Sequence, residues 1–138
     1  MGTHSGKVVA DAHYFYALDN NWIGKYDKRT GKYVAGWRGS LTLHPHMNSC
    51  AVEVRELVCA ASNHPGVPMA SSVEFFDATT QKHIRSVALL PYPGSLTWIQ
   101  RHGSDWFALF ANYDHGYGEV PGHDHTWTLL MRLDSQFR

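Results

Sequence analysis

The chain is 138 residues long, 43% hydrophobic and 17% charged. That composition fits one globular domain, or part of one, and excludes a disordered or membrane-spanning chain. Twelve Lys and Arg balance twelve Asp and Glu, so net charge supplies no bulk attraction to nucleic acid or to an anionic membrane. The first residues lack the basic region, long apolar core and cleavage site of a signal peptide.

Short β-branched and aromatic runs, separated by Gly, Pro, Asn and Asp, predict strands throughout and no competing helix. The first set covers 7–10, 13–18, 22–26 and 32–37, with a turn at Lys28-Arg29-Thr30-Gly31. The second covers 49–54, 57–61, 72–76 and 83–89, with a turn at Asp77-Ala78-Thr79-Thr80. The third covers 95–100, 106–111 and 126–133 and has no fourth strand, which gives eleven in all. A two-residue turn at Arg55-Glu56 places Cys50 and Cys59 diagonally on one sheet face, roughly 7–8 Å apart, so free thiols are expected. A register shifted by two would instead pair them directly.

One pattern organises these strands. Ile23-x-x-Tyr26-Asp27, Val73-x-x-Phe76-Asp77 and Leu130-x-x-Leu133-Asp134 each follow an apolar run that ends at Asn20, Asn63 or Asn112. The aspartates are 50 and then 57 residues apart. A period of that length, built from strands and turns alone, predicts an all-β chain of β-propeller blades. The blades cover about 4–38, 46–90 and 95–138 of one partial domain spanning 1–138, the last lacking its outer strand. Asp27, Asp77 and Asp134 are expected as turn builders, bonding local backbone. Propellers close with ~4–8 blades, so three leave apolar faces open. Either the chain is part of a longer propeller, which the incomplete blade favours, or two copies form a six-bladed homodimer.

The segments "YFYALDNNWIGKYDKRTGKYVAGW" and "SSVEFFDATTQKHIRSVAL" resemble repeats of six-bladed propellers of the strictosidine-synthase, gluconolactonase and NHL-like group, with quinoprotein-type repeats as second choice. The resemblance covers about the whole chain at the level of fold. It implies calcium or another divalent ion in the central channel and action on lactones, esters or similar small molecules. No catalytic motif of the group maps onto this sequence by position.

Propeller connectivity puts the loops after the second strand of each blade on one face, together with the loops between blades. Those second-strand loops hold two (21–22), nine (64–72) and seventeen residues (113–129), whereas the opposite turns are short. Long loops without secondary structure of their own are usually functional or disordered. Seven of the ten histidines fall on this face: His4, His44, His46, His64, His115, His123 and His125. His13, His83 and His102 do not. His44-Pro45-His46 and His123-Asp124-His125 are His-x-His pairs, which in extended backbone send both imidazoles to one side. Asp114 and Asp124 offer carboxylates. Such a set suits zinc, iron, manganese or copper, while calcium prefers mostly oxygens. His46 is the leading candidate, because it enters the inner strand of the second blade.

Asn48, Asn63 and Asn112 stand at strand ends, where their oxygens meet a ligand hydroxyl or cap a turn. Residues 63–69, braced by two prolines, are expected either to wall a pocket or simply to connect two strands, and Trp22, Trp98, Trp106 and Trp127 are expected to pack between blades. Gly-x-Ser-x-Gly, Gly-x-Gly-x-x-Gly and Walker A patterns are absent. The expected function is a propeller that binds a small organic molecule over a metal at the histidine-rich face, as a hydrolase, lactonase or isomerase. The alternative is a non-catalytic module binding protein or glycan there.

Overall fold

The computed structural model describes residues 7–40, 42, 45–90, 92–114 and 121–138. Among them are eleven strands and no helix: β1 (Lys7–Ala10), β2 (Tyr14–Asp19), β3 (Trp22–Asp27), β4 (Tyr33–Arg38), β5 (His46–Glu53), β6 (Glu56–Ser62), β7 (Ser71–Asp77), β8 (His83–Ala88), β9 (Ser95–His102), β10 (Asp105–Ala111) and β11 (Thr128–Leu133). They form three blade-like antiparallel sheets in simple up-and-down order. Sheet 1 holds β1 to β4, sheet 2 holds β5 to β8, and sheet 3 holds β9 to β11.

Side chains alternate across each strand, and that alternation stacks the sheets. Tyr16, Leu18 and Ile23 of sheet 1 bury against Leu57, Cys59 and Phe76 of sheet 2. The other face of sheet 2, with Val58, Ala60, Val73 and Phe75, meets Leu96, Ala108, Phe110 and Leu133 of sheet 3. Sheet 2 is therefore covered on both sides, which is why β6 reads as a nearly unbroken apolar run. Each fully buried Leu, Ile or Phe contributes roughly 1.5–3 kcal/mol.

The aspartate turns form as the sequence predicts. Asp27 Oδ1 accepts from the Thr30 backbone N–H and hydroxyl, and Asp77 Oδ1 does the same with Thr80. Asp134 Oδ1 accepts from the N–H groups of Gln136 and Arg138. In each case these backbone bonds are the leading cause of a carboxyl pKa below the usual range. Gly31 turns through positive φ, and Gln81 does so at the matching position of sheet 2. Gln81 is fully buried, and its amide donates to the Ala78 carbonyl. Lys25 Nζ donates to that same carbonyl, above the Tyr14 ring.

Three expectations are corrected. Cys50 and Cys59 are not free thiols; they sit directly opposite each other and form a disulfide. The turn between β5 and β6 falls at Val54 and Arg55, since Glu53 pairs with Glu56, and this moves the register by two. Val54, which looks like strand, is the turn tip and is 98% exposed. Trp127 precedes β11 instead of lying within it, because Asp124 Oδ1 caps a turn through the Thr126 N–H and hydroxyl.

Candidate functional site

The second-strand loops of the three sheets gather at one end. The Met47 N–H donates to the Asn20 carbonyl, tying the start of β5 to the loop of sheet 1. The His64 ring, in the loop of sheet 2, lies 4.5 Å edge-on from Tyr113 in the loop of sheet 3. His46, His64, His123 and His125 all lie at this end, and His13, His83 and His102 at the other, as strand direction requires. His4, His44 and His115 fall outside the described residues.

A half-buried cluster forms where β1 and β5 begin. His46 opens β5, and its ring centroid is 5.3 Å from that of His64. Asn48 hydrogen-bonds the His46 ring and donates its amide to the Leu96 carbonyl of β9. Lys7 opens β1 and donates to the Met47 carbonyl at 2.6 Å, which sets an ammonium beside His46. Burial holds the His46 imidazole below its usual pKa, and the neighbouring Lys7 and His64 charges add to that; Asp19 and the Asn48 bond oppose it. Burial alone lowers His64. Burial also lowers Lys7, against the pull of Asp19. Both rings are therefore neutral at pH 7, the form that accepts a proton or ligates a metal.

The long loop of sheet 3 behaves differently. His123 and His125 part, because the turn at residues 124–126 breaks the extended backbone that would have aligned them. His125 Nδ1 pairs with Asp114 Oδ2 at 2.5 Å, and Asp114 Oδ1 accepts the His125 N–H. His123 instead stacks on Trp127, its ring centroid 4.3 Å away. Asp114, Asp124 and His125 do place one ligand atom each within 4.8 Å of one another. Yet the same carboxylates build the loop, and those bonds are what lower the pKa of Asp114 and of Asp124.

The three asparagines separate as well. Asn63 spends its side chain on its own loop, donating to the Pro68 carbonyl and accepting from the Ala70 N–H. Asn112 donates to the Trp127 carbonyl, but its Oδ1 is buried with no partner among the described residues. Gly94, at positive φ, lets the chain pass so close that a Cβ there would meet the Ala111 carbonyl at 2.8 Å and the Asn112 amide. Beneath this, Ser62 and Ser95 share a buried hydroxyl contact of 2.7 Å, and Ser71 joins Gly94 to Leu96.

Sequence reasoning did not single out Lys7 or Tyr113. Each carried a signal: Lys7 begins the first strand of sheet 1 as His46 begins that of sheet 2, and Tyr113 lies between Asn112 and Asp114. It also passed over Glu74, fully buried on β7, whose carboxylate accepts from Ser72 and Ser86 and lies 2.7 Å from His83 Nε2. Both Ser86 and Glu74 face that one imidazole nitrogen, so the trio lacks the two-sided histidine of a nucleophilic triad. It is a satisfied buried carboxylate.

No protein-family model matches the chain, and no curated protein is similar enough to be matched.

Proposed function

We propose that the chain is a propeller-type module that binds a small organic molecule at the loop end, over a divalent transition metal held by His46 and His64. The observation that carries this reading is the meeting of two neutral imidazoles with Tyr113, from separate loops and sheets, around an otherwise polar rim. Two imidazole nitrogens suit zinc, manganese or iron, with the remaining positions left to water and the bound molecule; the Lys7 ammonium opposes a cation here, and the negative charge of Asp19 offsets it. The imidazoles do not suit calcium, which takes roughly six to eight oxygens. When bound, such an ion polarises a carbonyl or acidifies a water, which is the chemistry of a lactonase, esterase or isomerase.

The chain's own groups have defined parts in this reading. Asn48 orients the His46 ring, much as outer partners fix ligand tautomers elsewhere. Lys7 faces an anionic or carbonyl oxygen of the ligand. The buried Asn112 Oδ1 is an acceptor for a ligand hydroxyl or a bridging water. The alternative, a non-catalytic module for protein or glycan, draws on the exposed Trp127 indole stacked on His123.

The test is elemental analysis of untagged protein, together with a Zn2+ and Mn2+ titration followed by melting temperature. About one metal per chain and a raised melting temperature are expected, both lost in His46→Ala/His64→Ala and kept in His125→Ala. Wild-type protein that carries no metal and does not respond to either ion overturns the metal reading. Retention of binding by the double variant moves the site to the Asp114 loop.

A further inference from the structure

The three sheets stack by one rule, and among the described residues that rule leaves two faces uncovered. Taking each sheet from the apolar residue four before its turn aspartate, the cross-strand pairs Leu18–Ile23, Ala60–Val73 and Leu109–Leu130 are equivalent. The first pair is buried against sheet 2 and the second against sheet 3. Among the described residues no sheet packs on the third, and Leu130 is 59% exposed.

The opposite faces repeat the pattern. Leu57–Phe76 and Trp106–Leu133 are equivalent pairs that receive the preceding sheet and are buried. Their counterpart in sheet 1 is Phe15–Tyr26, two rings stacked 4.9 Å apart on a face that no sheet covers among the described residues. On the inner strands, Cys50 and Ile99 are packed, while the equivalent Val8 is 67% exposed. The Trp22 indole lies across Gly24 on this same open face.

We propose that two copies of the chain pack head to tail, the Leu109–Leu130 face of each against the Phe15–Tyr26 face of the other, closing a ring of six sheets. The occupant proposed is a second copy, since the two faces complement each other and both are on this one chain. Their juxtaposition also repeats a contact the chain makes twice internally. A heterologous contact of this sort closes only if the rotation between sheets allows it, and otherwise runs on as a filament. Six lies inside the ~4–8 sheets at which such rings close. This goes beyond the metal reading and stands or falls without it.

The test is sedimentation velocity on the wild-type chain, on Leu130→Glu and on Val8→Glu. Both positions are exposed in the single chain, so each variant is expected to keep the wild-type circular dichroism and a cooperative melt, at a temperature lowered only by loss of the partner. Wild type should sediment with twice the mass of one chain, and each variant with the mass of one. Mixing the two variants should restore a species of twice the chain mass, since Leu130→Glu keeps an intact Phe15–Tyr26 face and Val8→Glu an intact Leu130 face. Wild type with the mass of a single chain, or variants with the wild-type mass, would overturn the proposal. An open ladder of masses would overturn ring closure. A Val8→Glu dimer alongside a Leu130→Glu monomer would replace head-to-tail pairing with like-on-like.

Discussion

Two histidine groups share the loop end, and they differ in what already satisfies them. His46 and His64 are set by a strand start and a short braced loop, half-buried, with depressed basicity and no carboxylate bonded to either ring among the described residues. His125 is exposed and already held by Asp114, through both backbone and ring. The first pair keeps its lone pairs available; the second spends them on loop geometry. Where several histidines crowd one face, the ones to watch are those the fold positions without neutralising.

The largest effect that tests this contrast is on ligand binding. His46→Ala/His64→Ala should weaken Zn2+ binding well beyond tenfold, since even loss of an outer partner costs about 10–100-fold. His125→Ala should leave the affinity unchanged, as read by competition with a chromophoric chelator. Equal losses in the two variants would break the contrast. Next in size is Cys50→Ser/Cys59→Ser. The disulfide braces β5 to β6, the strands that lead to His46 and His64. Removing this short-loop bridge should cost about 2 kcal/mol in denaturant unfolding. It should weaken metal binding less than loss of either imidazole does.

How far the sequence reveals this arrangement depends on the range of the forces involved. The turns at Asp27, Asp77 and Asp134 are legible because each carboxylate bonds backbone within four residues of itself. The strands are legible because the alternation of Tyr16, Leu18 and Ile23 is local too. The disulfide is not, since a β-branched Val54 at a turn tip runs against turn chemistry and hides a two-residue slip. Glu74 and Lys25 are not legible either: a charged residue inside a strand looks like surface until neighbouring strands supply its donors or its carbonyl. In the site, His46 follows from strand position, but its closeness to His64 and Tyr113 depends on how three sheets stack.

The smaller effects are on stability against pH, and they sharpen the same contrast. The folded-state pKa values of His46 and His64 lie below the usual 6.5, so between those values the unfolded chain binds more protons than the folded one. Their contribution is complete above about pH 6.5 and is lost as pH falls through the folded pKa values. With chelator present, the melting temperature should be flat from pH 8 to 7 and then decline toward pH 5. His46→Gln/His64→Gln should flatten that decline, although Lys7 and Asp19 still face the site. Asp114 has a lowered pKa, so what it contributes persists well below pH 5 and disappears only in stronger acid. Asp114→Asn should therefore leave the pH 8 to 5 profile superimposable on wild type, the smallest effect of the set. If Asp114→Asn removed the decline and the His46/His64 variant did not, the exposed pair would be the responsive one and the assignment of roles would reverse.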